Sequence, residues 1–472
     1  MLESSAGESG DWLGIGTALA CPISIQCKVA MSMSVAKSVE RVEPWIEDRG
    51  SRMRVSRRIF ADPDIHALEI ERIFNRSWLF LGHESEIPQP GDYVIRPMGS
   101  DQVIVWRGAD GGVRAFLNAC RHRGMALCRA DCGSARRIVC PYHGWTYDTT
   151  GALRTTSFNQ HYDPAEFARL GLTPVGRLER YRGLIFANWD AQACSLEEHF
   201  GELKWYLDIL IGRTPRGMSA IAPPQRWVIE TNWKIPPLNF IDAQHALRTH
   251  TGPISIAQQA PGAPSPQQME QAADATASVT FPQGHGIATT PYAAHLPEFF
   301  DHAPEMVAYY KQALSREQLA QLREAAPGVG TIFPNTSWVQ PFVVIETDRV
   351  PRIALNWRNW QPRGPNEVEI WSWYFAPAEA SEELRAEMHR AAFQTFGVGG
   401  TLEEDDSEVW SSITRTIQGS MAARGFMDFS CGMSEATLEG YRFPGTAYPS
   451  LLTEHAQRAF LRRWRREMEG TS

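Results

Sequence analysis

Short apolar runs broken by glycine- and proline-rich punctuation run from about Phe80 to Trp189. Asp92–Met98 (DYVIRPM), Gln102–Gly108 (QVIVWRG) and Val113–Cys120 (VRAFLNAC) carry the β-branched and aromatic residues of strands. The breaks read PQPGD, GADGG and, further on, DTTGA, all turn sequences. Arg182–Trp189 (RGLIFANW) closes the stretch, so the pattern predicts a small antiparallel β domain over 78–190. Upstream, Asp62–Trp78 has helical spacing. Ala67, Ile70, Ile73, Phe74 and Trp78 fall on one side, and Asp62 and Asp64 stand at the start. Ile65 and Leu68 lie off that side. Residues 41–77 are therefore expected to be a helical segment packed on the larger domain. Residues 1–40 are small, polar and unpatterned, as in a leader without order.

Residues 191–472 mix both periodicities. Arg352–Trp360 (RIALNWRNW) and Val368–Pro377 (VEIWSWYFAP) predict strands, and 303–325 and 381–396 predict helices. Ser381, Glu382 and Glu383 open the second helix, where negative charge suits the helix dipole. The stretch 254–298, rich in Gln, Ala, Pro and Gly, predicts a long loop of the kind that forms lids or entrances. The expected fold class is α+β: a small all-β domain followed by a larger domain with an antiparallel sheet flanked by helices.

At 472 residues the chain exceeds one ordinary domain, and 43% hydrophobic with 21% charged residues suffices for a large core. A net charge of −8 argues against a general nucleic-acid binder. No apolar run approaches the roughly 20 residues of a membrane span. The opening MLESSAGESGDW is acidic and has no basic n-region, so no secretory signal is expected; Met31 and Met33 are alternative starts. The cytoplasm is the expected compartment. Eight cysteines, some beside histidines, suit a reduced chain that holds a metal better than a disulfide scaffold.

Two constellations carry the chemistry. The first is Cys120-Arg121-His122-Arg123-Gly124 followed by Cys140-Pro141-Tyr142-His143-Gly144-Trp145. Each half offers a thiolate and an imidazole, with a glycine just beyond for a tight turn. A Rieske [2Fe–2S] centre places two Cys on one iron and two His on the other. The same residue types also suit a tetrahedral zinc site. A four-cysteine site with Cys128 and Cys132, or buried side chains with no metal, are the remaining readings. The second constellation is Asn239-Phe240-Ile241-Asp242-Ala243-Gln244-His245, with His250 five residues on. Asp242 and His245, at i and i+3, are expected on one helical face, and the helix is expected to loosen before His250. Two imidazoles and a carboxylate make the facial triad of non-haem Fe(II) oxygenases.

Taken together these motifs resemble the α subunits of Rieske-type aromatic-ring hydroxylating oxygenases, such as those of naphthalene and biphenyl dioxygenases. The first matches C-x-H-(15–17)-C-x-x-H, with 17 residues between His122 and Cys140. Met125 and Tyr142 stand where respiratory Rieske proteins carry a disulfide, which implies a potential near the low end of the Rieske range, about −150 mV. The second resembles N-W-K…N-F-x-x-D-x-Y-H-x4-H, and Phe396–Asp406 resembles the later G-x-x-E-x-D-D run. Leu238 and Gln244 replace the family's Glu and Tyr, and the link from Trp233-Lys234 to Asp242 is one residue shorter.

The resemblance implies a Rieske domain at 78–190 and a catalytic domain at 191–472. It implies a [2Fe–2S] cluster on Cys120, His122, Cys140 and His143. It further implies one Fe(II) on His245, His250 and Asp406, with Asp405 the alternative ligand. Electrons would come from a ferredoxin and an NAD(P)H-dependent reductase. An aromatic substrate and O2 would meet at the iron, giving a cis-dihydrodiol or, alternatively, a monohydroxylated product. Phe240, Ala246, Val329, Val339, Phe396 and Leu402 are the expected pocket residues by position, and Arg248 is a charge nearby without an assigned role. Asp242 would bridge His245 to the partner's His143 in a homotrimer or an α3β3 assembly with a small β subunit. A pure electron-transfer iron–sulfur protein would need only the first motif, and a zinc-stabilised interaction protein neither iron.

Overall fold

Asp62 caps a helix in the computed structural model by accepting from the backbone N–H groups of Asp64 and Ile65, with Pro63 in the first turn. The α-helix Pro63–Glu69 widens into a π-turn, Ile70–Phe74, and stops there. The extra residue per turn rotates the buried face. Ile65, Glu69, Ile73 and Phe74 point inward and Ala67 is exposed, which corrects the predicted face; Trp78 is buried beyond the helix end. The segment is not purely helical either. Strands Ile46–Asp48 and Met53–Ser56 pair with each other, and the second pairs with Phe426–Asp428 near the other end of the chain. The structure describes residues 44–242, 244–257, 276–291, 302–340, 355–449 and 453–470, with short pieces in the intervals; the 1–40 leader lies outside them.

Between Leu79 and Asn188 the strands form three antiparallel sheets, as the punctuation predicts. Four strands, ordered Val113–Leu117, Asp101–Arg107, Asp92–Met98 and Cys132–Ser134, make one sheet. Arg137–Val139, Thr146–Asp148 and Leu153–Thr155 make the second. Arg177–Tyr181, Leu184–Asn188 and Leu79–His83 make the third. The larger region is built on a sheet of nine antiparallel strands among the described residues. Its two longest described strands, Leu355–Gly364 and Glu367–Pro377, pair with each other toward one side of the sheet. Trp357, Trp360, Trp371 and Trp373 on these strands are buried. No helix among the described residues is long and apolar enough to cross a membrane.

Two further expectations change. The helix at 303–325 is two, Pro304–Ala313 and Arg316–Glu324. The Ser315 hydroxyl accepts from the Gln318 N–H and Gln318 reciprocates, a capping box that starts a new helix. The loop at 254–298 contains the helix Thr251–Ala257 at its start and the antiparallel hairpin Ala277–Thr280 with Gly286–Pro291. The hairpin's strands occupy the large sheet, where alternate residues find partners that its polar composition does not advertise.

His285, next to this hairpin, accepts from Phe333 N–H at Nδ1 (3.0 Å) and so donates through Nε2 to the His199 carbonyl (2.7 Å). His199 and His285 are both buried, and burial pushes His285 down to about 4. A histidine held neutral in the fold takes up a proton on unfolding, so its contribution is whole above its unfolded value near 6.5 and is lost as pH falls toward 4. Replacing His285 with Gln is expected to lower stability at pH 7. The same change should flatten the acid limb between about pH 6 and 4, by up to ~1.4 kcal/mol per pH unit. Denaturant midpoints across that range test this, and an unchanged slope would refute it.

Candidate metal centres

The two Cys/His loops have the same backbone plan. Cys120 N–H donates to the Met125 carbonyl (2.9 Å) and Gly124 N–H to the Cys120 carbonyl (2.8 Å); Cys140 does the same with Trp145 (2.7 Å) and Gly144 (3.0 Å). Gly124 and Gly144 sit at φ +73° and +70°, which a side chain would resist. Asn118, buried, steadies the first loop by accepting from the N–H groups of Leu127 and Cys128, each at 3.0 Å.

The thiols point inward. Cys120 and Cys140 are buried in a small core with Trp106, Trp145 and Tyr147. Burial raises the Cys120 thiol, opposed by the Tyr147 hydroxyl at 3.4 Å, and the neighbouring Cys140 raises it further. The imidazoles point outward: His122 and His143 are half-buried with their Nδ1 atoms 3.1 Å apart, and the Trp145 ring stacks on His122 at 4.9 Å. Burial, then His143 and Arg123, holds His122 below its usual range. A zinc ion would draw four such ligands to one point, with sulfurs about 3.8 Å apart. Among the described residues the group that brings three ligand atoms within 4.8 Å of one another is a different one, His245, His250 and Asp406. A thiol pair within and an imidazole pair at the rim fits two irons better than one zinc. Cys128 is buried against Tyr93 and Cys132 is exposed on a strand, so neither adds to the thiol pair.

The second centre forms where two short helices meet the Thr401–Ile417 helix. Pro236 and Pro237 are confined to the first turn of Ile235–Asn239, where their missing N–H groups cost nothing. That helix ends at Asn239, and the next begins at Ala246. Asp242 therefore lies in the connection and not on a helical face with His245, contrary to the sequence expectation. Its carboxylate accepts from Gln244 N–H (2.9 Å), a local bond that competes with helix. Glu403 and Asp406 are buried on one face of the Thr401–Ile417 helix, while Asp405 is partly exposed.

Asp406 Oδ1 stands 3.5 Å from Nε2 of both His245 and His250. It is buried, with no hydrogen-bond partner among the described residues. Burial, and then the Glu403 charge, pushes the Asp406 carboxyl up to about 8 against the pull of Arg358. A buried oxygen without a donor, facing two ring nitrogens, suits a divalent cation. Asp405 Oδ2 takes the other face of His250, accepting from Nδ1 at 3.2 Å, which leaves Nε2 free to ligate. Asn239 Nδ2 lies 3.3 Å from His245 Nε2. Burial lowers His245, with the Asp242 charge opposing.

Of the expected pocket residues, Phe240, Val339 and Phe396 are buried in the main core, and Val329 and Leu402 pack against it. Ala246 is half-buried beside His245, and Arg248 is exposed. The sequence assigns no individual role to Asn118, Tyr147 or Arg358, and gives Asn239 only a place in the N-F motif. The two asparagines are single polar residues inside apolar runs, a signal for a buried hydrogen-bonding side chain. Tyr147 and Arg358 had no such signal.

A β-rich module with two buried Cys beneath two rim His and a larger sheet domain with a His-His-Asp centre define a two-metal oxidoreductase. Residues 77–166 match the Rieske [2Fe-2S] domain family, and residues 203–470 match the catalytic domain of the ring hydroxylating alpha subunit family. The benzene 1,2-dioxygenase subunit alpha of Pseudomonas putida is 35% identical over 88% of this chain and 91% of its own. The biphenyl 2,3-dioxygenase subunit alpha of Rhodococcus jostii is 34% identical over 94% and 95%. The structure of naphthalene 1,2-dioxygenase from Rhodococcus sp. bound to indole superposes with a TM-score of 0.82, at 36% identity over 89% and 95% of the two chains. The chain belongs to the ring-hydroxylating dioxygenase α-subunit family, an oxidoreductase with a Rieske cluster and a mononuclear iron.

The geometry separates the two adjacent acids. Asp406→Ala is expected to lose the mononuclear iron while the Rieske spectrum stays, and Asp405→Ala to keep the iron with about 10- to 100-fold weaker affinity. Iron counts per chain beside the visible spectrum check this; the reverse pattern would move the ligand by one position.

Proposed function

We propose that this chain is the terminal oxygenase that hydroxylates an aromatic ring with O2, most simply by cis-dihydroxylation, in the cytoplasm. His245, His250 and Asp406 hold the Fe(II), and Cys120, His122, Cys140 and His143 hold the cluster. The observation that carries this is the orphaned Asp406 oxygen facing two imidazole nitrogens. When bound, the iron supplies oxygen activation and the cluster supplies electrons.

The protein's own groups do the positioning. Asp405 fixes the His250 tautomer so that Nε2 faces the centre. Asn239 flanks His245. Phe240, Ala246, Val329, Val339, Phe396 and Leu402 form the apolar wall that receives a ring and excludes bulk water. The half-buried His122 and His143, with the Tyr142 ring 59% exposed beside them, give the cluster an outward edge for exchanging electrons. Ferredoxin and an NAD(P)H-dependent reductase supply those electrons.

Asp242 is the link to that edge. It is half-buried, outside any helix, and its charge acts on His245. A carboxylate so placed joins His245 to the partner's His143 in a homotrimer or an α3β3 ring with a small β subunit.

Turnover with a surrogate ferredoxin and reductase across mono-, bi- and tricyclic arenes tests the function. A vicinal cis-diol identified by mass spectrometry supports it, and absence of any oxygenated product counts against it. Asp242→Asn offers one good acceptor oxygen instead of two. It is expected to keep both metals and the assembly but to slow single-turnover oxidation of the pre-reduced cluster. A wild-type rate would remove Asp242 from the route.

A further inference from the structure

The helix that carries Asp406 is reached through Gly397-Val398-Gly399-Gly400, a corner with three glycines. Val398, its one side chain beyond hydrogen, is exposed, so no side chain of the corner reaches into the core. A buried guanidinium from the sheet reaches the corner instead. Arg358, on the strand Leu355–Gly364, is completely buried and spreads its guanidinium across the corner. One terminal nitrogen donates to the carbonyl of Phe396, the last residue before the corner, at 2.7 Å. The other stands 2.6 Å from the Glu403 carboxylate, in the first turn after it. Nε donates to Asn356 Oδ1 at 2.7 Å, and Asn356 is itself held by Ser372 Oγ at 2.7 Å. Tyr374 adds a second donor to the Phe396 carbonyl at 3.1 Å.

Glu403 and Asp406 are one helical turn apart on the same face, so whatever fixes Glu403 fixes Asp406. The guanidinium also lies 5.7 Å from the ring centroids of both Phe240 and Phe396, two residues of the proposed substrate wall. A buried ion pair adds little stability over apolar residues of the same volume, because two desolvation costs offset the attraction. Its directional bonds are what an apolar replacement lacks.

We propose that Arg358 is a positioning residue for the mononuclear centre, setting at once the carboxylate of Asp406 and the Phe396 side of the substrate wall. This rests on the reading of His245, His250 and Asp406 as the iron site. The planar fork is essential: Lys keeps a charge for Glu403 but cannot at the same time bond the Phe396 carbonyl and Asn356 Oδ1.

The experiment uses the full chain, iron-loaded, in three variants. Arg358→Met/Glu403→Leu removes both charges and leaves neither buried alone. Arg358→Lys keeps the charge without the fork. His245→Ala reports on the iron site itself. Release of iron to a ferrous chelator is followed beside the Rieske absorbance and the melting temperature. The double variant is expected to keep the cluster spectrum and melt within a few degrees of the parent, yet release the mononuclear iron at least about tenfold faster. Arg358→Lys is expected to release it faster too, and it decides the matter alone if the double variant fails to fold. Parental release from the deciding variant, with His245→Ala depleted of iron, would overturn the clamp and leave the site standing. Full iron in His245→Ala would overturn the site and the clamp with it.

Discussion

One carboxylate, Glu69, ties together three distant parts of the chain. It is wholly buried and receives Lys234 Nζ at 2.6 Å, Trp233 Nε1 at 2.8 Å and Trp464 Nε1 at 2.7 Å. The first two belong to the segment that leads into His245, and the third to the helix His455–Glu469. Burial raises the Glu69 carboxyl, but Lys234 and the hydrogen bonds outweigh it and the group sits below its usual range. Burial also lowers Lys234, while the rings of Phe60, Trp233 and Trp464 surround its ammonium. Removing one member would strand the other charge in the core, at a cost of about 3–5 kcal/mol. The pair therefore fixes where the His245 segment can start, and the second centre is built outward from there.

The two centres meet opposite demands. The two Cys/His loops sit over their own small core, thiols within and imidazoles at the rim, so the imidazoles are the edge nearest the surface. The His-His-Asp centre lies against the main core, where aromatic rings exclude water and an unpaired oxygen is costly until a cation meets it. Behind this centre, Asp405 meets the far nitrogen of His250, and Arg358 pairs with Glu403 on the helix that bears Asp406.

The sequence determined the strand pattern of 78–190, because turn glycines and alternating apolar residues act locally. It also picked out the two Cys/His pairs and the His245/His250 pair as candidate ligands, because a metal that draws ligands from one short loop leaves its spacing in the chain. Family and cofactors followed from those spacings. The family resemblance already put Asp406 ahead of Asp405; the tertiary structure adds that the first is buried and the second partly exposed, since neighbours on a helix differ by a 100° turn. Packing likewise took Asp242 off the helix, turned the Ile65/Glu69 face inward and drew a polar stretch into the sheet. Arg358 was illegible for the same reason. Its partners Phe396 and Glu403 lie 38 and 45 positions away in the chain, and a buried charge is recognised only by what surrounds it.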